Sequence, residues 1–365
     1  MTNTTKTSIN ILETHEQLLE LKNEWNELLE YSSCDSIFMT WEWVSTWWDC
    51  FHENNALWMI ICRQEDTNQL LGIAPLIIKD TLNLGLQEKT LSFIGNGDAA
   101  PDHLDFIIHK DFEMSISHLF TDKIWSSRTH WQKISLDGMM SGSNTLLQLL
   151  EQTNGQMQIS KNICPYLTLP DDWATLKQSY GKSMRYNLGR FERRLEKDYP
   201  SMINFKKITE KEEVEEFITI LVELHTASQQ RKDNEGLFTN QKMIEFHTKL
   251  ATIFLEAGFL RSYTLNVGKT SIAALHCFQY NGTVSFYQSG FDQFWQRYSP
   301  GTQIMAHAIQ QAILEKNIIF DFLRGEEDYK FKWTESYATD QAVLIPLGIQ
   351  SKVQLGLKKA AQKLL

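Results

Sequence analysis

Apolar positions along the chain change their spacing in a regular order. Continuous or alternating apolar runs predict strands, and apolar residues three and four apart predict helices. Residues 7–12 read as a strand, and 14–30 as a helix with Leu18, Leu21, Trp25, Leu28 and Leu29 on one face. A short helix covers 40–51, opened by Thr40 as its N-cap. Strand-like runs follow at 57–63, 70–79, 90–95 and 104–109. Then come a helix near 111–126, a strand near 132–136, a helix near 143–152, and strands near 156–160 and 165–169.

The second half repeats this order. A strand at 202–208 is followed by helices at 210–231 and 240–256, then by strands at 259–266, 271–280 and 283–289. Val267-Gly268-Lys269 and Asn281-Gly282 mark two hairpin turns, the second with the favoured Asn-Gly pair. A loop at 290–300 leads to a helix at 301–316, whose Ile304, Met305, Ala308, Ile309, Ala312 and Ile313 form one stripe. A strand at 318–323, a loop or short helix at 324–334 and a strand at 341–347 close the half. The pattern predicts a repeated α/β unit of about 150 residues, an ordinary domain size. The halves share element order without obvious sequence identity.

Between them, Asp171 or Asp172 caps a segment in which Met184, Leu188, Phe191 and Leu195 lie at helical spacing. Its other face carries Lys182, Arg185, Arg190, Arg193, Arg194 and Lys197. The expected organisation is therefore a first domain at 1–170, a basic amphipathic connecting helix at 171–199, a second domain at 200–349 and a short basic helix at 350–365.

Composition narrows the class. The 365 residues are 42% hydrophobic and 12% aromatic, enough for sizeable cores, so disorder and a disulfide scaffold are excluded. The net charge of −10 argues against DNA or tRNA as the main partner, because phosphate contacts need surplus Lys and Arg. Five scattered cysteines, with no CxxC pair or Cys/His cluster, read as buried thiols in a reducing compartment, and no metal is expected. The polar start and the short apolar runs at 57–62 and 73–78 give no signal peptide and no membrane span, so the expected location is cytoplasmic.

Five segments offer chemistry. Gly95-Asn96-Gly97-Asp98-Ala99-Ala100 has GxGxxA spacing, but Pro101 and a strand-like run follow where a dinucleotide site needs a helix. Asp98, Asp102, His103 and Asp105 nearby read as a polar loop or, less simply, as metal donors. The basic face at 182–197 is either solvated or holds an anionic substrate through Lys182, Arg185 and Arg190. Gln288-Ser289-Gly290 ends a strand, and Arg297 to Thr302 opens a helix. Pro300 suits a first turn there, and Gly301 lets an anion reach the N–H groups. Phe320 to Trp333 is the densest polar stretch: Asp321 and Arg324 can pair, and Tyr329 or Lys330 can serve a reacting carbonyl. His225 beside Glu223 is either a structural or a proton-moving histidine. GxSxG, Walker and HExxH motifs are absent.

These segments together resemble the cellulose-biosynthesis (CelD/BcsL) branch of the GNAT acetyltransferase superfamily. The likeness rests on FMTWEWVSTWW at 38–48, GIAPL at 72–76, the loop 93–106, the helix 183–195, YQSG at 287–290, YSPG at 298–301 and FDFLRGEEDYKFKW at 320–333. It covers about residues 35–345. It implies an α/β fold of two tandem GNAT-like domains, each a mixed, mostly antiparallel sheet flanked by helices, as in Fem-type aminoacyltransferases. It also implies acetyl transfer from acetyl-CoA to an amine or hydroxyl of a small sugar or nucleotide-sugar, in polysaccharide or envelope synthesis. Gln288, Ser289, Gly290, Arg297, Pro300, Gly301 and Thr302 would hold the donor, although only Arg297 and Gly301 echo the Gln/Arg-x-x-Gly-x-Gly/Ala loop. Lys330 would steady the developing charge, as a lysine in a Phe/Tyr-Lys-x-x-Phe context does in Fem-type enzymes. Asp321, Arg324, Glu327, Tyr298 and His225 are the other catalytic candidates, and Arg185, Arg190 and Tyr329 the acceptor-binding ones. Aminoacyl-tRNA as donor, or a non-catalytic module that contacts polysaccharide-synthesis proteins, are the alternatives.

Overall fold

A computed structural model describes residues 6–83, 86–97, 99–153, 156–230, 236–238, 240–348 and 351–352. Asp98 and nearly all of the expected helix 350–365 lie outside the described residues. The chain divides into two units, the first comprising residues 1–162 and 339–365 and the second residues 163–338.

The first unit holds two sheets. One is antiparallel, in the order Thr7–Leu12, Met59–Gln64, Leu70–Ala74, Ile107–Ile108. The other runs Asn55–Leu57, Leu76–Asn83, Leu86–Phe93, Lys133–Met140 and then the 339–346 part of Tyr337–Pro346. The expected single strand 70–79 is thus two strands in two sheets. Pro75 separates them, since a residue without an N–H interrupts a ladder. The last strand pairs antiparallel with Lys133–Met140, so it completes this unit's sheet rather than closing the second half. The helix Trp41–Phe51 starts at Thr40, whose hydroxyl accepts from the Trp43 N–H. Trp25, Trp43, Trp58, Trp131 and Phe120 fill the core.

The loop with GxGxxA spacing forms no helix start. Asp105 is buried, its carboxylate accepts from the Phe106 N–H, and burial raises its pKa to about 7. His103, at φ +55°, engages the buried Asp340 carboxylate with both its N–H and its ring Nδ1. The loop is a piece of polar core.

The second unit has one sheet, in the order Ile203–Lys207, Tyr263–Val267, Thr270–Tyr280, Thr283–Phe291, Ile319–Asp321 and then the 163–168 part of Gln158–Thr168. Neighbours are antiparallel except Thr283–Phe291 and Ile319–Asp321, which are parallel and joined through the helix Pro300–Leu314. The Asn281-Gly282 turn has both residues at positive φ, as a two-residue hairpin requires. Alternate residues of Thr270–Tyr280 serve opposite layers. Leu275 and Cys277 join a core with Ile304, Met305 and Ile309 of Pro300–Leu314. His276 and Phe278 meet Phe217 and Phe254 from the helices Val214–Gln230 and Gln241–Glu256.

Candidate active site

The parallel pair Thr283–Phe291 and Ile319–Asp321 is in register only from Thr283 to Ser285. Beyond Asp321 the chain leaves the pair, and the Phe322 N–H donates to Pro165 O instead. From Phe286 onward the first strand therefore parts from its neighbour. A bulge sits at the same place: His276 opposes Gln288 while Cys277 opposes Phe286, leaving Tyr287 as the extra residue.

Three candidate donor-binding residues follow the bulge. The Gln288 side-chain oxygen accepts from the Ser289 N–H. Ser289 O lies 3.1 Å from His225 Nδ1. Gly290 passes so close to Val214–Gln230 that a Cβ there would lie 2.3 Å from His225 N. Only glycine permits that approach.

His225 is buried, and its Nε2 lies 3.3 Å from the Leu237 N–H, which donates to it. The ring proton is then on Nδ1 and is given to Ser289 O. The imidazole is neutral and ties helix to strand.

The chain next forms a 3-10 turn, Gln293–Tyr298, and enters Pro300–Leu314 through Ser299 in the left-handed region. Pro300 has no N–H, and Thr302 and Gln303 both donate to Ser299 O. Gly301 follows at the positive end of the helix, within the first turn, whose N–H groups have no partner inside an α-helix. The Phe291 ring lies 3.3 Å from where a Gly301 Cβ would be. The buried Tyr298 hydroxyl donates to Asp198 at 2.8 Å and accepts from Arg297, which also reaches Asp198 at 3.5 Å. Arg194 donates to Arg297 O and lies over the Tyr298 ring. Arg297 and Tyr298 are thus fastened to the C-terminal end of the helix Lys182–Asp198.

On the other side of the parting, Asp321 accepts from the Leu323 N–H at 2.8 Å. Leu323 and Gly325 have positive φ, which folds the chain back on itself. Lys330 is buried in that fold. Its ammonium lies 3.2 Å from Leu323 O, 2.5 Å from Arg324 O and 3.0 Å from a Glu327 carboxylate oxygen. Three hydrogens meet three acceptors. A Cβ on Gly325 would lie 2.2 Å from that Glu327 oxygen and 2.9 Å from Lys330 Nζ. Tyr329 reaches back to the parting strand, its ring edge-on to Phe286.

Arg185 and Arg190 stand apart from this cluster. Arg185 donates to Gln178 O, and Arg190 lies over the rings of Tyr186 and Phe191 on its own helix. The sequence did not single out Asp198, His247 or His276. His247 and His276 lie buried near Tyr287, and burial holds His276 down at about 3 and His247 well below the usual histidine range. The run Ala273-Ala274-Leu275-His276-Cys277-Phe278, one histidine in an apolar strand, was the signal available for His276.

Residues 182–331 match the family described as acetyltransferase (GNAT) domain. The chain is similar to the crystal structure of FemX, at 9% identity and a TM-score of 0.61, over 91% of this chain and 96% of that one. It is similar to a conserved protein of unknown function from Bacteroides thetaiotaomicron VPI-5482, at 13% identity and a TM-score of 0.57, over 92% and 100%. A tandem GNAT protein from the clavulanic acid biosynthesis pathway aligns at 9% identity and a TM-score of 0.50, over 94% and 99%. No curated protein matches the chain. The fold is a mixed α/β architecture with sheets flanked by helices, like that of its tandem GNAT neighbour, as the resemblance implied, and the match to the GNAT domain family falls in the second half of the chain.

Proposed function

We propose that the chain transfers an acetyl group from acetyl-CoA to an amine or hydroxyl of a sugar or nucleotide-sugar, in the cytoplasmic synthesis of a polysaccharide or envelope component. The observation that supports this best is the parting of Thr283–Phe291 from Ile319–Asp321 just upstream of the helix start at Pro300. Strand edge and helix start are both rich in backbone N–H groups. They suit a thioester carbonyl and a pyrophosphate respectively.

Acetyl-CoA supplies an activated acyl thioester. Arg297 and the Gly301 N–H hold its phosphates, with Pro300 and Thr302 shaping the turn. The Ser289 N–H, exchanging its bond to the Gln288 side chain, meets the oxyanion as the acceptor attacks the carbonyl carbon. Glu327, half-exposed beside Lys330, takes the proton of the attacking amine or hydroxyl. As the C–S bond breaks, the Tyr298 hydroxyl turns from Asp198 and gives its proton to the departing thiolate. Lys330 acts at one remove by holding the turn at 323–327, with Asp321 and Arg324 in it. His225 fixes the strand. Arg185 and Arg190 take acceptor phosphate on the solvent side, and Tyr329 lines the path to the carbonyl. Thiol release from acetyl-CoA, measured with amino-sugar and nucleotide-sugar acceptors, tests this reading. Release that Glu327→Gln slows by about a hundredfold supports it, and no release with any acceptor contradicts it.

A second reading takes an aminoacyl-tRNA donor. The Phe291 ring beside Gly301 narrows the helix start, and the exposed Tyr186 ring lies under Arg190 on the basic helix. Aromatic rings among cations suit single-stranded nucleic acid. Salt-sensitive tRNA binding in the absence of any acetyl-CoA binding would favour it.

A further inference from the structure

The helix Lys182–Asp198 buries Leu188 and Leu195 in the core of the second unit. Its opposite side is cationic. At about 100° per residue, Lys182, Tyr186, Arg190, Arg193, Arg194 and Lys197 fall in one arc of about 120°. Ser183 is the only other residue in that arc, and all seven are exposed. The arc runs the length of the helix, about 22 Å at about 1.5 Å per residue. No acid lies within it. Glu192 and Glu196 fall beyond its Lys182 edge, and Asp198 is engaged by Arg297 and Tyr298.

Few of these charges are met inside the protein. Arg190 and Arg194, like Arg193 and Lys197, are equal charges four residues apart, a spacing that weakens a helix. Arg194 donates to Arg297 O, and Arg190 lies over the Tyr186 and Phe191 rings. Among the described residues, Lys182, Arg193 and Lys197 form no ion pair.

The turn that Arg194 holds adds an apolar anchor. Three residues per turn in Gln293–Tyr298 put Trp295 and Tyr298 on one face, which is buried, and Phe294 and Arg297 on another. Phe294 is 85% exposed, more than any other large apolar side chain among the described residues. An acid-free cationic arc beside an exposed aromatic ring has the composition of a bilayer-surface site. Cations meet anionic headgroups, and the ring enters the boundary between headgroups and acyl chains.

We propose that this face docks on an anionic lipid surface. No helix of the described residues is long and apolar enough to cross a membrane, so the contact is peripheral. The net charge of −10 favours a plane over a nucleic acid as the partner. A plane meets the cationic face alone, and screening over about 8 Å at physiological salt hides acids elsewhere. A nucleic acid that wraps the unit also meets the acidic remainder. Arg193, Lys197 and Phe294 have no part in the acyl-transfer reading, so docking does not depend on it.

Co-sedimentation of the full chain with vesicles tests this. Vesicles of phosphatidylcholine with about a third phosphatidylglycerol are expected to bind the chain, and pure phosphatidylcholine to leave it in solution. Binding falls between about 0.1 M and about 1 M salt, as the screening length shortens from about 10 Å to about 3 Å. Arg193→Gln and Lys197→Gln each weaken it by about fivefold. Phe294→Ser weakens it by about tenfold and keeps the salt dependence. All three positions are exposed, so the melting temperature stays unchanged. Glu327→Gln binds vesicles as the wild type does, which keeps a failure here distinct from a failure of acyl transfer. Equal binding to neutral vesicles, an affinity untouched by the two glutamine variants or by Phe294→Ser, tRNA binding in place of vesicle binding, or no vesicle binding would each overturn the proposal.

Discussion

His225 Nδ1 donates to Ser289 O at 3.1 Å, while its Nε2 accepts from the Leu237 N–H at 3.3 Å. One neutral ring thus joins the helix Val214–Gln230 to the strand edge that carries the proposed oxyanion site. His225→Phe leaves the half-buried Ser289 carbonyl and Leu237 N–H without the imidazole that joins them. It is expected to cost about 2–6 kcal/mol, from roughly 1–3 kcal/mol for each group. Denaturant unfolding checks this. His225→Gln, which can both donate and accept, is expected to recover part of the loss.

Gly290→Ala is expected to be more severe than any exposed glycine substitution in this unit. The added methyl would meet backbone atoms of Leu224 and His225 at 2.5 Å or less, and backbone cannot swing aside as a side chain can. A loss of about 3 kcal/mol or more follows, read as a fall in the denaturation midpoint.

Much of the scaffold was legible in the sequence, because turns and caps are local. Asn281-Gly282 and Thr40 set their elements through their own backbone and side-chain chemistry. The element order that predicted a repeated α/β unit came from hydrophobic spacing, and its GNAT-like character from the resemblance. The parting after Ser285 and the bulge at Tyr287 were not legible, since both are matters of register between strands. The Asp198–Tyr298 bond joins residues a hundred positions apart, and no periodicity announces it. In the sequence, Lys330 reads as a charge able to serve a reacting carbonyl. Sequence could not show that Leu323 and Gly325 fold back to bring two carbonyls to its ammonium.

Lys330→Met removes the ammonium that two carbonyls and a carboxylate share. It is expected to lower kcat by about a hundredfold and stability by about 2–4 kcal/mol. Gly325→Ala should reproduce the kinetic defect with Lys330 still present, because the new methyl displaces Glu327. A wild-type rate in Gly325→Ala would show that the turn does not position the base.

The buried histidines give the second unit a signed pH dependence. His276 titrates at about 3 when folded and His247 well below its usual range, against about 6.5 unfolded. Between those limits the unfolded chain binds more protons, so stability rises with pH. It is lost as pH falls from about 6.5, by roughly 1.4 kcal/mol per pH unit for each histidine. Asp105 in the first unit acts oppositely. Its pKa of about 7 exceeds the unfolded value, so its effect is a fall in stability as pH rises from about 4 to 7. His276→Phe should flatten the acid limb of the stability curve, and Asp105→Asn the opposite slope.

The central claim is that the acyl donor sits at the helix start between Arg297 and Thr302. Calorimetric titration with acetyl-CoA, beside free CoA and with Gly301→Asp as the comparison, tests it most directly. The account predicts binding in the micromolar range that the aspartate abolishes by placing a negative charge where the pyrophosphate lies, while the variant still melts cooperatively. No heat from either ligand with folded protein, or equal affinity in the variant, would contradict it.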